Sequence, residues 1–408
     1  MEADANPHAI IRLPFSPRVG KRSGKPLTRS LENRRIPLLD LAALHAPLRD
    51  EIVAALARVV DSQRFILGSE VKELAEAVAR YCGTAFAVGC ASGSDALFLA
   101  LLAAGVGPGD RVLTTPYSFF ATAGAITRAG ARPVFADIDP ATYNIDPAAA
   151  ERVLETTPGI QAMIPVHLFG GCADMDPLLE SAARHGCAVI EDGAQAIGAE
   201  YNGRRTLGLS QIKCISFYPN KNLGAVGDAG MLTTSDPDLA RRLAALRVHG
   251  TTGPYYHEWA GINSRLDTLQ AAVLLVKFRY LDAWTAARQR NAALYRSLLG
   301  AGGLPVRLPV GTGYQTRHVY NQFVIGVPER DRLRAWLREN GVGTEVYYPL
   351  PLHLQPCYRD LGYRENDFPA SEAAARETLA LPVHPALAAE DIHYICDLIQ
   401  GFYARPTQ

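Results

Sequence analysis

The sequence predicts an α/β fold: a large domain with a mostly parallel sheet flanked by helices, followed by a smaller C-terminal α+β domain. Short apolar runs alternate with helical patterns along most of the 408 residues, and this alternation indicates β-α units. The run AMIPV is apolar throughout, which is typical of a parallel strand covered on both faces. Together these observations predict a sheet that is buried between helices.

The large domain is predicted over residues 36–285. It begins with two amphipathic helical stretches, after which strands and helices alternate. Its helices are predicted at Leu48–Val60, Glu70–Tyr81, Asp95–Ala104 and Phe119–Arg128. Its strands are predicted at Ala85–Val88, Arg111–Thr115, Pro133–Ala136, Ala162–His167, Ala188–Glu191 and Ile212–Phe217. One long helical pattern then runs from near Arg265 toward Leu299.

The stretch GLPVRLPVGTG breaks this helical pattern, and the smaller domain is predicted over residues 286–408. It contains a strand at Tyr320–Val327, a helix at Arg330–Asn340 and a final helix near Ala389–Tyr403. Residues 1–35 differ from both domains, because arginine, lysine, proline and glycine dominate them. We predict that they form a disordered basic tail; a functional basic arm is the alternative.

The composition limits the classes of partner. Lysine plus arginine and aspartate plus glutamate each number 41, so the formal net charge is zero, which disfavours a protein that binds nucleic acid. No apolar run is long enough to cross a bilayer. The seven cysteines include no C-x-x-C pair, and the ten histidines show no metal-ligand spacing. We therefore expect a cytoplasmic protein with reduced cysteines and no metal.

An aspartate ends one of the predicted strands. Asp192 lies in the segment EDGAQA, directly after the apolar run CAVI. In open α/β sheets, ligands bind at the carboxyl ends of the strands. A partly desolvated carboxylate there needs a cationic or metal partner, and a pyridinium nitrogen would serve. The alternative interpretation is an aspartate that caps a helix.

A lysine follows the next strand, in the segment SFYPNKNLGAVGDAG. Lys221 lies between an apolar strand and a glycine-rich turn. A lysine amine attacks a carbonyl only after losing its proton, so desolvation or a nearby cation must lower its pKa. An imine with an aldehyde cofactor meets the same requirement covalently. The alternative is an ordinary surface lysine.

Small residues lead into a helix in the segment CASGSDALFLALL. The backbone N–H groups of Gly93, Ser94 and Asp95 are expected at the helix N-terminus, where free donors and the helix dipole bind phosphate. Ser92 and Ser94 add hydroxyls. Serine and aspartate also cap helices with no ligand present, which is the alternative interpretation. In combination, the phosphate cup, the strand-end carboxylate and the lysine match the needs of pyridoxal 5'-phosphate (PLP).

With these segments the chain resembles the DegT/DnrJ/StrS family of sugar aminotransferases, within the aspartate-aminotransferase-like (type I) PLP fold. The resemblance runs from about Ile36 to the C-terminus. Its motifs are ILGSEV, SGSDALFLAL, HLFGG, EDGAQA, SFYPNKNLGAVGDAG, RVHG, GINSRLDTLQAAVL and VYYPLPLH. The chain departs from the family pattern at Ala91, Gly171 and Cys172.

The resemblance implies a role for residues around the cofactor ring. Lys221 would form the imine with PLP and later move the proton. Asp192 would pair with the pyridine nitrogen, and Gln195 would lie near the ring hydroxyl. Phe119 would stack on the ring face.

The resemblance also implies phosphate and substrate contacts. Gly93, Ser94 and Ser216 would hold the phosphate. Asn263 would reach it from a neighbouring subunit, which implies a homodimer with shared active sites. The substrate contacts implied are Arg265 and His353, and Tyr347 is a further candidate that could instead belong to the core.

The implied reaction transfers an amino group from L-glutamate to a nucleotide-linked keto-sugar and leaves 2-oxoglutarate. The C-terminal motifs favour a 3-keto sugar over a 4-keto sugar, and the nucleotide could be dTDP or UDP. A dehydratase branch of the family carries histidine at the position of Lys221, so the lysine favours transamination. A sugar dehydratase and a non-catalytic regulator are the alternative functions.

Overall fold

A computed structural model of the protein describes residues 34–301 and 303–404. From Arg35 onward the described residues form one compact unit. The predicted basic tail lies outside the described residues apart from Arg34 and Arg35. The division into two domains near residue 285 stays a prediction. None of the described helices is both long and apolar enough to cross a membrane.

A seven-stranded sheet lies at the centre of the unit, with the strand order β1-β9-β8-β5-β4-β2-β3. The five strands from β8 to β3 are parallel, whereas β9 runs antiparallel to both of its neighbours. The strands of the structure are β1 Phe86–Cys90, β2 Arg111–Thr114, β3 Arg132–Phe135, β4 Ile160–Ile164, β5 Ala188–Asp192, β6 Glu200–Tyr201, β7 Arg204–Arg205, β8 Ile212–Ser216, β9 Gly230–Thr234, β10 Thr251–Gly253, β11 Tyr256–His257, β12 Gln315–Arg317, β13 Phe323–Gly326 and β14 Thr378–Leu381.

Helices cover this sheet and build the C-terminal region. They are α1 Leu41–His45, α2 Arg49–Ser62, α3 Ser69–Cys82, α4 Gly93–Ala103, α5 Ala121–Arg128, α6 Pro147–Thr156, α7 Met175–His185, α8 Pro237–Leu246, α9 Thr268–Phe278, α10 Leu281–Gly300, α11 Arg330–Glu339, α12 Pro369–Glu377 and α13 Ala389–Tyr403. Their ends follow local chemistry. Ser92 and Asp236 accept hydrogen bonds from the first turns of α4 and α8, and Gly83 and Gly186 end α3 and α7 in the left-handed conformation.

Helix α4 is buried on nearly all sides. It packs between the sheet, α5 and α8, and seven of its eleven residues are buried. This is why its sequence, GSDALFLALLA, is apolar almost throughout after its first turn. Its N-terminus is thereby fixed at the edge of the sheet where β8 ends.

The C-terminal region has its own apolar cluster. Helices α10, α11 and α13 pack around the antiparallel pair β13–β14, with the stacked rings of Tyr295 and Phe323 at the centre. Ile36 joins this cluster and pairs with Val342. The start of the described chain therefore packs against its C-terminal region.

The single long helix predicted from near Arg265 toward Leu299 is wrong. The structure has two helices, α9 and α10, separated at Arg279 and Tyr280. Neither glycine nor proline marks this break, so the sequence offers no signal for it. Its physical reason is packing, because α9 contacts α2 and α3 whereas α10 packs against α13.

Candidate active site

A cavity of about 370 Å³ lies at the carboxyl edge of the sheet, where β5 and β8 end. The turn after β2 and the segment around Tyr347 complete its walls. Of the eight residues predicted to contact the cofactor, seven line it: Gly93, Ser94, Phe119, Asp192, Gln195, Ser216 and Lys221. Tyr347, predicted to contact substrate, lines it as well. The sequence therefore identified the cavity from segments that are more than 100 residues apart.

Lys221 reaches the cavity from a tight loop after β8. Its backbone N–H donates to the Tyr218 carbonyl, and the chain then folds back so closely that a Cβ at Gly224 would lie 2.3 Å from the Pro219 carbonyl oxygen. Glycine is therefore required at that position. Burial lowers the pKa of Lys221 to about 8, against the opposing attraction of Asp192. A fraction of the amine is consequently neutral near physiological pH.

Asp192 is the last residue of β5, and its side chain is buried. Burial raises the pKa of this carboxyl, while a hydrogen bond from Thr122 and one from the backbone of Ala194 oppose the rise. The Thr122 hydroxyl donates to Oδ2 at 2.8 Å, and the Ala194 N–H donates to Oδ1 at 3.2 Å. Within the described residues Asp192 forms no ion pair, and both of these hydrogen-bond partners are neutral. The more distant charge of Lys221 in the cavity helps to stabilise the buried carboxylate.

A buried pair of side chains braces the strand end that carries Asp192. His167 and Glu191 are both fully buried, and His167 Nε2 lies 2.9 Å from Glu191 Oε2. The Ala173 N–H donates to His167 Nδ1, so the ring proton lies on Nε2 and is donated to Glu191. The backbone N–H of His167 donates to the Asp192 carbonyl. His167 therefore has a structural role at the site and does not line the cavity.

The opposite end of the cavity suits an anion. Gly93 and Ser94 form the first turn of α4, whose backbone N–H groups have no partner within the helix. A Cβ at Gly93 would lie 2.6 Å from the Ser216 Cβ, so only glycine lets the helix approach β8 this closely. The hydroxyls of Ser94 and Ser216 border the same space. This end can hold a phosphate through backbone donors, hydroxyls and the helix dipole.

Aromatic rings and one amide form the remaining wall. Phe119 is 57 % exposed, an unusual state for a phenylalanine, and its ring centroid lies 6.1 Å from that of Tyr348. Gln195 accepts a hydrogen bond from the Phe169 N–H and donates to the Tyr348 hydroxyl. Phe119 is thus free on one side to stack on a flat ring.

Three predicted site residues lie outside this cavity. Asn263 is exposed and accepts a hydrogen bond of 2.6 Å from Arg265, on the segment before α9. His353 is buried against the Phe368 ring, with Nε2 3.3 Å from Glu372. The roles predicted for these residues stay predictions, and the described chain does not bring them to the cavity.

Sequence reasoning missed Thr122, Tyr348 and Gln322, all of which line the cavity. Thr122 lies in the segment YSFFAT, three residues after Phe119, but nothing in its type indicates a bond to Asp192. Tyr348 follows Tyr347, a residue that was predicted. The side-chain oxygen of Gln322 is buried and has no hydrogen-bond partner among the residues that the structure describes. Such an orphaned acceptor is a signal that only coordinates can give.

The model of the DegT/DnrJ/EryC1/StrS aminotransferase family matches residues 47–400. The chain belongs to this family. The resemblance found in the motifs is therefore confirmed, and so is the prediction of an aminotransferase.

Two relatives illustrate the family. A "pleiotropic regulatory protein" of Geobacillus stearothermophilus is 50 % identical over 370 residues, which are 90 % of this chain and 98 % of the relative. A dTDP-3-amino-3,4,6-trideoxy-alpha-D-glucose transaminase of Streptomyces venezuelae is 43 % identical over 378 residues, which are 92 % of this chain and 98 % of that protein.

A solved structure confirms the predicted fold class. The crystal structure of S. venezuelae DesV in complex with a ketimine intermediate superposes with a TM-score of 0.89 at 42 % sequence identity. The match covers 92 % of this chain and all of that chain. The aminotransferase fold therefore extends over nearly the whole chain.

Proposed function

We propose that this aminotransferase is PLP-dependent and moves an amino group from L-glutamate to a nucleotide-linked keto-sugar, with a 3-keto sugar favoured. The observation that carries the proposal is the cavity in which Lys221, Asp192 and the N-terminus of α4 converge. The name of the S. venezuelae relative supports the substrate class, because it specifies a dTDP-linked 3-amino sugar. A 4-keto sugar and a UDP-linked sugar are the alternatives.

The residues present fit PLP. A buried carboxylate without an ion pair in the described chain suits a protonated pyridine nitrogen, which would be its missing cation. The close approach of Gly93 to Ser216 leaves a cradle of backbone donors and hydroxyls that suits a phosphate. Lys221 would hold the aldehyde, Phe119 would stack on the ring, and Gln195 would lie near the ring hydroxyl.

When bound, PLP supplies an electron-withdrawing ring that weakens bonds at the carbon bearing the amino group. The protein supplies proton transfer and orientation. The neutral fraction of the Lys221 amine can accept a proton from the donor's α-carbon, because burial brings the pKa of this lysine to about 8. Asp192 would keep the ring nitrogen of a bound PLP protonated, and Thr122 orients the Asp192 carboxylate through its hydroxyl.

We also propose that the active enzyme is a homodimer with shared sites. Asn263 and Arg265 contact each other on the surface of one chain, away from its own cavity. That arrangement suits residues that reach a partner's cavity, as the family resemblance implies. Mixing inactive Asn263→Ala and Lys221→Ala variants should restore activity in hybrid dimers. Absence of recovery, despite subunit exchange shown with tagged chains, would contradict shared sites.

The substrate proposal is tested by a screen. The purified protein is incubated with PLP, L-glutamate and 3-keto or 4-keto sugars linked to dTDP or UDP, and products are identified by mass spectrometry. We expect an amino-sugar nucleotide, formed fastest from a 3-keto sugar, together with 2-oxoglutarate.

The same screen separates the alternatives. A sugar that loses oxygen without gaining nitrogen would indicate a dehydratase. The name of the G. stearothermophilus relative keeps a regulator as the second candidate. A protein that stays colourless after PLP is added, and aminates none of the sugars, would favour that candidate.

A further inference from the structure

The hydroxyl of Tyr117 is a junction between distant segments. Tyr117 is fully buried, and its Oη lies 2.6 Å from the Tyr347 carbonyl, 3.2 Å from the Tyr348 N–H and 2.8 Å from Thr378 Oγ1. A carbonyl only accepts, so the Tyr117 proton is donated to Tyr347. The Tyr348 N–H and the Thr378 hydroxyl must then both donate to Oη. All hydrogen-bonding capacity of this hydroxyl is therefore used.

The two backbone groups that Tyr117 binds belong to residues whose rings form the cavity wall. Tyr347 and Tyr348 line the cavity, and Tyr348 also receives a hydrogen bond from Gln195. Tyr117 itself does not line the cavity. It lies two residues before Phe119, in the turn after β2, so its hydroxyl connects the turn that carries Phe119 to the segment that carries Tyr347 and Tyr348.

Packing holds the Tyr117 ring independently of its hydroxyl. The ring lies 6.2 Å from that of Tyr143 and 6.3 Å from that of Tyr348, centroid to centroid. Replacing Tyr117 with phenylalanine would keep these contacts and remove only the junction. The backbone of residues 347 and 348 would then lose a donor and an acceptor, and the wall could shift.

We propose that Tyr117 is a positioning residue that fixes the Tyr347–Tyr348 wall against Phe119 and thereby determines how tightly the keto-sugar is held. This inference rests on the proposed sugar aminotransferase function. A hydroxyl with only a structural role would change the stability of the protein and leave the KM of the folded enzyme unchanged. The two roles are therefore separable by kinetics.

The test compares Tyr117→Phe with Tyr295→Phe in the full-length holoenzyme. Tyr295 is a matched control, because it is also fully buried but its hydroxyl has no hydrogen-bond partner in the described chain. In Tyr117→Phe we expect the KM for the keto-sugar to rise about tenfold, the equivalent of one buried hydrogen bond, and kcat to change less than about threefold. The absorbance of bound PLP should be unchanged, since Lys221 and Asp192 are untouched. Tyr295→Phe should keep the wild-type KM.

A double variant tests whether Tyr117 affects the KM for the keto-sugar through the Tyr347–Tyr348 wall. In a Tyr348→Phe background, the additional rise in KM from Tyr117→Phe should be clearly smaller than about tenfold, because both changes loosen the same segment. If Tyr117→Phe fails to fold, Thr378→Val removes one donor to the same hydroxyl and should raise the KM about twofold to threefold.

The outcomes are distinguishable. A folded Tyr117→Phe enzyme with the wild-type KM, or effects that multiply fully with those of Tyr348→Phe, would overturn the inference and leave the proposed function intact. An unchanged KM in Thr378→Val would overturn it in the same way. A wild-type protein that aminates no keto-sugar would instead refute the proposed function on which the inference rests.

Discussion

Two lysines, Lys221 and Lys277, share a lowered pKa and differ in almost every other property. Burial lowers the pKa of each to about 8. Lys277, on α9, is 2 % exposed; its amine donates to the Gly224 carbonyl and lies 2.9 Å from His45 Nε2. The Lys221 amine opens onto the cavity and makes no hydrogen bond to the described residues. A lowered pKa is therefore a result of burial and does not by itself mark a catalytic lysine.

What distinguishes the catalytic candidate is its surroundings. Lys221 faces a cavity and feels the charge of Asp192, whereas partners occupy the Lys277 amine on two sides. The two lysines are nevertheless connected. Lys277 binds the carbonyl of Gly224, three residues after Lys221, so it anchors the loop that carries Lys221. Lys221 would carry out the proposed chemistry, whereas Lys277 holds the loop on which Lys221 lies.

Replacing Lys221 and Lys277 in turn should give the largest difference in transamination rate and in cofactor absorbance. Lys221→Ala should lower transamination by more than about 10³-fold and abolish the imine absorbance of bound PLP, because no other amine faces the cavity in the described chain. Lys277→Met should keep the imine band and lower turnover less than about tenfold. Absorbance spectra and steady-state kinetics measure both effects. Normal turnover in Lys221→Ala, or loss of the band in Lys277→Met, would reverse the assignment.

Asp192 is the second feature that separates the two lysines, and its removal should have the next largest effect. Asp192→Asn keeps the shape of the side chain but removes the charge that would keep a pyridine nitrogen protonated. We expect kcat to fall on the order of 10²-fold, with the imine band retained. Thr122→Val, which removes only the hydroxyl that orients this carboxylate, should cost about tenfold or less. Equal losses in the two variants would contradict a role for the charge.

Local sequence patterns predict some of these residues and not the long-range contacts that position them. Asp192 and Lys221 were predicted because each lies at or just after the end of an apolar strand, and the α4 N-terminus because small residues lead from a strand into a helix. The carboxyl edge of a parallel sheet brings such turns together. The bond from Thr122 to Asp192 joins residues 70 positions apart, and the bond from Tyr117 to Tyr347 spans 230. No local pattern encodes these contacts. Lys277 reads in sequence as part of an apolar helix, and only packing reveals its bond to Gly224.

The smallest expected effect concerns stability and its pH dependence. Below about pH 8, Lys277 is protonated in both the folded and the unfolded chain, so the folded state bears the full cost of a buried charge. Between about pH 8 and the ordinary value of 10.5, the unfolded chain still holds a proton that the folded chain has released. The free energy of unfolding contributed by Lys277 therefore rises with pH across this window.

Lys277→Met has no charge to bury, but it leaves the Gly224 carbonyl without its hydrogen-bond donor. The unsatisfied carbonyl lowers the free energy of unfolding by about 1–3 kcal/mol. At pH 7 this loss and the relieved charge penalty should nearly cancel, and the two proteins should have similar stability. By pH 9.5 the free energy of unfolding of the wild type should have risen by about 2 kcal/mol relative to that of the variant.

Urea unfolding measures this difference. Protein and PLP concentrations must be matched, because bound cofactor shifts the apparent stability. His45 does not interfere, since its pKa is lowered and it titrates below this range. If the difference in free energy of unfolding between the two proteins stays constant from pH 7 to 9.5, burial does not lower the pKa of Lys277. Lys221 and Lys277 would then not share a lowered pKa.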